Sequence, residues 1–230
     1  VLRKLLEHRV DGIALIGLDH SDDTYQLLIS RDVPVVAAWS FSETSRISCI
    51  GSDNREAGRH AAKHLLSFGH RRVGLVFPPT QENDRARDRL EAVELELRDA
   101  GIEIPDRWRV RSPYSVAHAK SVCRELLSEH KDITGLICGN DIIAQGAVSS
   151  AMQLGLRIPE DLSIVGIGDF AGSADMFPAL STVQIPAQQI GIQAGKYLVQ
   201  SIANSDVSEI VRRKMDVALK PRATTGRAVR

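Results

Sequence analysis

The stretch Leu136-Ile-Cys-Gly-Asn-Asp-Ile-Ile-Ala-Gln-Gly-Ala147 decides the fold. A short apolar run from Gly135 to Cys138 stops at Gly139. The polar pair Asn140-Asp141 follows, and a helical pattern then runs to Leu154. This reads as strand, tight turn and helix N-terminus. Such a turn brings side chains and unpaired backbone N–H groups to the carboxyl end of a strand, where open α/β sheets bind ligands. Asn140-Asp141 is therefore read as half of a small-molecule cleft, with Asp141 the candidate helix cap.

The same grammar recurs in both directions. Leu2, Leu5, Leu6 and Arg9 keep helical spacing, and Ile13 to Leu18 is an apolar run expected of a parallel strand buried on both faces. A helix is expected over 22–30, and strands over 33–38 and 47–50. Asp53 with Glu56 has capping-box spacing and opens a helix that closes at Gly69. Strands are expected over 72–77, 109–111, 135–138, 163–167 and 182–185, with helices over 84–100, 115–127 and 187–203. One last strand is expected over 208–217, followed by a polar, loose tail from Lys220. Strands alternating with helices of this length predict βαβ units and a mostly parallel sheet.

The 230 residues carry 29 Lys+Arg and 29 Asp+Glu, so formal net charge is zero. A free-standing nucleic-acid binder shows a basic surplus, and there is none. Cys49, Cys123 and Cys138 sit in apolar runs without metal-like spacing, which predicts buried free thiols in a reducing compartment. No run reaches the roughly 18 apolar residues of a membrane span. A cytoplasmic protein without membrane contact is expected from the free thiols and the lack of a spanning run. Val1-Leu2-Arg3-Lys4-Leu5-Leu6 reads as the middle of a helix, and further residues are expected upstream.

Several groups are candidates for chemistry. Arg85, Arg87 and Arg89 stand in the first turns of a helix, where cations oppose the dipole. They either pair with Asp84 and Asp88 on a solvated face or supply a forked donor for ligand hydroxyls or a carboxylate. Gly166-Ile-Gly168-Asp169-Phe-Ala-Gly172 has the wrong spacing for a dinucleotide site, and Pro178 interrupts any following helix. It suits a glycine turn that lets backbone approach a ligand. His60 and His64 are a helical turn apart but lack a third zinc ligand, and are read as surface histidines. Trp39 and Tyr114 each follow a strand, and either packs in the core or stacks on a flat ligand. No nucleophile elbow, P-loop or metal set occurs, so no catalytic residue, metal or cofactor is expected.

Taken together and in order, several segments resemble the effector-binding core of the lac/gal repressor family of bacterial transcription regulators. They are Arg9-Val-Asp-Gly-Ile, Ile50-Gly-Ser-Asp-Asn, Leu65-x-x-x-Gly-His-Arg-Arg-Val, Arg87-Asp-Arg-Leu, Gly139-Asn-Asp-x-x-Ala-x-Gly-Ala, Gly155-Leu-Arg-Ile-Pro-Glu-Asp-Leu-Ser-Ile-Val-Gly and Leu180-Ser-Thr-Val. The resemblance implies an α/β fold of the periplasmic-binding-protein-like type I: two Rossmann-like lobes with parallel sheets, ligand between them, and a homodimer. Residues 1–51 and 183–206 would form the N-terminal lobe, lacking its first β-α-β, and residues 52–182 and 207–230 the C-terminal lobe. The helix-turn-helix that reads operator DNA would lie outside this chain.

Carried over residue by residue, ligand binding falls on Asn140, Arg89, Tyr114 and Trp39, with Asp53 at the first crossover, Arg87 beside Arg89, and Gly168 and Asp169 at the next strand end. One departure bears on the ligand. The family has Asp-Asp at that strand end, the first taking a sugar hydroxyl, whereas this chain has Gly168-Asp169. Losing that acceptor while keeping the arginines favours an anionic ligand, a sugar acid or phosphorylated sugar, over a neutral sugar. The expected function is the effector-sensing, dimerising core of a repressor. A periplasmic sugar receptor for transport would share the fold and is the alternative. An enzyme of doubly wound fold is the remote third.

Overall fold

A computed structural model of the chain describes residues 2–8, 10–31, 33–204 and 209–228. The chain divides into two compact units, the first made of residues 1–53, 81–85 and 186–216, the second of 54–80, 86–185 and 217–230. Each is an α/β layer structure.

In the first unit the strands β1 (Ile13–Ile16), β2 (Val35–Ser40), β3 (Ser48–Ser52) and β9 (Arg212–Lys214) run parallel in the order β1-β2-β3-β9. Helices α1 (Leu2–Glu7), α2 (Asp22–Ile29) and α7 (Ala187–Asn204) belong to the same unit. Ser21 caps α2 through Thr24 N–H at 3.3 Å. That cap sets the helix phase that turns Tyr25 and Leu28 into a core with Ile13, Val35, Ala37, Ile47 and Cys49. The Tyr25 hydroxyl donates to the Leu18 carbonyl at 2.6 Å, so the ring stays buried without an orphaned polar tip. Arg9 and residues 205–208 fall outside the described residues, and with them part of the first motif and the start of the expected last strand.

The second unit is built on a six-stranded sheet in the order β10-β8-β7-β6-β4-β5. Its strands are β4 (Val73–Phe77), β5 (Arg109–Arg111), β6 (Gly135–Cys138), β7 (Ser163–Gly168), β8 (Ser181–Gln184) and β10 (Ala218–Lys220), the last antiparallel to β8. Helices α3 (Asn54–Ser67), α5 (Val116–Glu129) and α6 (Asp141–Gln153) pack on it, and α4 (Asp84–Asp99) belongs to this unit from Ala86 on. Leu75, Phe77, Leu136, Ile137, Ile164 and Ile167 are fully buried, as strands covered on both faces require. Chain order and sheet order reverse at one place. From β4 the chain crosses to β5 on one side, then returns to β6 on the other. The carboxyl ends of β4 and β6 therefore flank a topological switch point.

Four expectations change. The run from Ile13 is not buried on both faces: Ile16 is 55% exposed, because β1 pairs with β2 alone among the described residues. Of the expected last strand over 208–217 only Arg212–Lys214 is strand among the described residues, β9 beside β3, and a further short strand, β10, follows it in the other sheet beside β8. Residues 209–216 accordingly join the first unit rather than the second, held by the β3 ladder. The tail is not loose either: Thr224 Oγ1 donates to Ile164 O at 2.7 Å and accepts from Ser181 N–H at 2.8 Å, and both Thr224 and Thr225 are buried. Finally, His64 is no surface residue. It is 7% exposed, hydrogen-bonded to Thr225 Oγ1 at 2.8 Å and edge-on to the Phe68 ring. No group able to hold a metal ion occurs among the described residues, and no described helix is long and apolar enough to cross a membrane.

Candidate ligand site

The carboxyl ends of β4, β5, β6 and β7 lie on one edge of the second sheet, since these strands run parallel. At the end of β6, Asn140 is the N-cap of α6 and its Oδ1 accepts from Ile143 N–H at 3.0 Å. The cap fixes which way the amide faces. Oδ1 is spent on the helix, and Nδ2 is the group left to donate. Asn140 is 5% exposed, so this donor sits in a recess rather than on the open surface.

Asp141, expected to cap, does something else. It is fully buried, and its Oδ2 accepts from Ser173 Oγ at 2.7 Å and Phe170 N–H at 3.0 Å, while Oδ1 accepts from Thr182 Oγ1 at 2.6 Å. Burial raises its pKa and these three donors oppose the rise. Gly166 makes the approach possible, since a Cβ there would stand 2.3 Å from Asp141 Oδ1. Asp141 thus ties the start of α6 to the loop after β7 and to β8.

Arg89 reaches the same edge from α4. It is 5% exposed, with Nε donating to Asn54 Oδ1 at 2.8 Å and Nη1 donating to Gly139 O at 3.0 Å. Gly139 is the residue before Asn140, so the guanidinium is anchored to the turn that carries the amide. A side chain at Gly139 would strike Phe77 and Pro78 at 2.7 and 2.8 Å, so glycine lets the ends of β4 and β6 close on each other. Arg87 is half-buried and lies about 200° around the helix from Arg89. The two arginines do not share a face. Arg85 is structural: its Nη1 pairs with Asp84 at 2.7 Å and donates to Ile16 O at 3.2 Å.

At the end of β7, Gly168 (φ +144°) and Asp169 (φ +55°) turn the chain sharply. Asp169 Oδ1 accepts from Arg222 at 2.6 Å and Oδ2 from Gln184 at 3.0 Å, so both carboxylate oxygens are engaged within the protein. Tyr114 follows β5 and is 49% exposed. In the first unit, Trp39 is the next-to-last residue of β2 and has φ +76°, a left-handed conformation that costs an ordinary residue about 1–3 kcal/mol. Its β3 neighbour is Gly51, where a Cβ would lie 2.5 Å from the Trp39 carbonyl carbon. Asp53 is the last residue of the first unit's opening segment.

Among the expected residues, Asn140 and Arg89 are therefore brought together through Gly139, with Gly168 and Asp169 at the adjacent strand end. The sequence reading missed Asn54 and Arg222. Asn54 was hidden inside a capping-box pattern that drew attention to Asp53 and Glu56. Arg222 lay in the tail read as loose.

The profile of the periplasmic binding protein-like domain matches residues 62–225. The HTH-type transcriptional repressor PurR of Klebsiella pneumoniae (strain 342) is 28% identical over 205 residues, covering 88% of this chain and 60% of the relative. This chain thus spans about three fifths of that protein's length. Transcription regulator GntR from Chromobacterium violaceum superposes with a TM-score of 0.88 at 30% identity, covering 97% of this chain and 82% of that one. A LacI family transcriptional regulator from Mycobacterium smegmatis gives 0.78 at 28% identity, covering 97% and 82%. The matched relatives are regulators, which leaves the transport-receptor alternative without support. The chain belongs to the periplasmic binding protein-like domain family, in the branch formed by the cores of lac/gal-type transcription regulators.

Proposed function

We propose that this chain is the effector-sensing, dimerising core of a cytoplasmic DNA-binding repressor whose operator-reading domain lies outside it, and that the effector is an anionic sugar derivative. The observation that carries the ligand class is the state of the charged groups at the carboxyl edge of the second sheet. Asp141 and Asp169 spend their oxygens on internal donors, and Gly168 brings no acceptor. Arg89 is held beside the Asn140 amide by its own anchors. Such an edge offers donors and positive charge, the complement of a carboxylate or phosphate. Asn140 Nδ2 would take a ring hydroxyl or acid oxygen, and Tyr114 would supply flat apolar surface. Arg87 is the outer member of the proposed set in this unit. No catalytic step enters this reading.

Signalling then needs a ligand that binds the DNA-competent and DNA-incompetent states with different affinity, since equal affinity shifts nothing. Thermal shift on the full-length protein tests the ligand class. Gluconate and glucose 6-phosphate are expected to raise the melting temperature, because a ligand at 100 times its dissociation constant stabilises by about 2.7 kcal/mol. A larger rise with neutral glucose than with either anion would contradict the reading.

A further inference from the structure

The amino ends of three neighbouring strands of the second sheet stand level. Val73 of β4 is in register with Gly135 of β6, and Gly135 with Ser163 of β7. Arg72, Thr134 and Asp161 come just before those residues, and all three line one recess of about 700 Å³. Leu127, Ile133, Leu154 and Leu156 are its apolar lining. A second recess, of about 520 Å³, meets the first at Arg72 and Thr134 and adds Arg71 and Arg227. Recesses of this size, apolar with a few polar groups, are where small molecules bind. The parallel strands put the Asn140 turn at their opposite ends, about 13 Å away along the four residues of β6. The recess is therefore separate from the edge that carries Asn140 and Arg89.

Its charges are of one sign for the most part. The Arg72 carbonyl accepts from Thr134 N–H at 2.9 Å, which fixes the backbone at the rim. The side chains of Arg72, Lys131 and Arg227 are exposed and form no hydrogen bond or ion pair among the described residues. Two carboxylates stand against them. Asp161 is taken by Arg157, whose backbone N–H and Nε donate at 2.8 Å and whose Nη2 donates at 2.5 Å. Asp132 is left to oppose three cations. An apolar hollow with a cationic rim is the complement of an acid that carries an apolar body. The forked guanidinium grips a carboxylate or phosphate through two oxygens. We propose that this recess is a second ligand site, for a small organic anion with its acid group on Arg72 and its apolar body against Leu127, Ile133, Leu154 and Leu156. Lys131 and Arg227 add to the positive field at the head group. The proposal stands apart from the reading of the Arg89 edge and survives its failure.

The test is calorimetric titration of the full-length protein with cinnamate and with cinnamylamine, which keeps the carbon skeleton and reverses the charge. Cinnamate is expected to bind with a dissociation constant below about 1 mM, and the amine at least about tenfold more weakly. Arg72→Glu is expected to weaken cinnamate about tenfold or more, and to leave the melting temperature unchanged because the side chain is exposed. Arg31→Glu makes the same charge change in the first unit and is expected to alter cinnamate affinity by less than about twofold. Should Arg72→Glu fail to fold, Lys131→Glu decides, with an expected loss of about threefold or more. No binding of cinnamate, or equal affinity for the two probes, overturns the proposal. So does an affinity that Arg72→Glu leaves unchanged, which would put the probe elsewhere, or one that Arg31→Glu lowers as much.

Discussion

Asn140 uses the two ends of one amide differently: Oδ1 accepts from Ile143 N–H, and the proposal gives Nδ2 to the ligand. A serine caps a helix as well as asparagine does, but its hydroxyl, if it caps, cannot also reach out with an amide N–H. Asn140→Ser is therefore expected to keep unfolding free energy within about 0.5 kcal/mol of the original. It should weaken the anionic ligand about tenfold. Urea denaturation beside calorimetric titration checks both halves, and equal loss in both would refute the division of labour. Asp141 is the opposite kind of residue. Its removal strands Ser173 Oγ, Thr182 Oγ1 and Phe170 N–H in the interior. Asp141→Ala should cost about 3 kcal/mol or more in urea denaturation. A loss under about 1 kcal/mol would mean that the three donors find other partners.

At the scale of elements, the turns and helices around the site were legible because local rules governed them. Gly139 stops a strand, Asn140-Asp141 opens a helix, and Ser115 caps α5 by accepting from His118 N–H, as its position predicts. What could not be read was where a polar side chain finds its partner far along the chain. Asn140 rather than Asp141 takes the cap because Ser173, Thr182 and Phe170 already claim the carboxylate, and no local pattern announces them. The tail was misread for the same reason. Its polarity is used internally, by Thr224, Thr225 and Arg222 against β7, β8 and α3.

Two buried histidines belong to this seam. His70 Nε2 faces the Gly226 carbonyl at 3.0 Å and so carries the proton, leaving Nδ1 for the Thr134 hydroxyl at 3.0 Å. Burial lowers both pKa values from the ordinary 6.5, with His70 adding to the effect at His64 and the Gly226 carbonyl opposing it at His70. A histidine lowered on folding stabilises fully above its unfolded pKa. That contribution is lost as pH falls through the lowered folded value. Asp141, raised from 3.8, acts in the other sense: its contribution is full below the unfolded value and lost as pH rises through the folded one. Melting temperature should thus fall as pH drops below 6.5, and less steeply in His64→Gln than in the original protein. An unchanged slope in that variant would rule out His64 as the cause.

For the whole molecule, the α/β sheet architecture was accessible because alternating apolar runs and helical segments state it repeatedly, and the family because seven motifs that resemble it stand in order along the chain. The division of the closing segment between β9 and β10 was not, since three-residue strands carry too little pattern to choose a sheet. Function at this scale depends on a difference in affinity between two states, and the ligand's charge is what would make that difference selective. The most direct test is calorimetric titration of the full-length protein and of Arg89→Ala with gluconate. The account predicts measurable binding by the first and at least about a tenfold loss in the second, as removal of a charge-assisted pair requires. Equal affinity in the two proteins would contradict it.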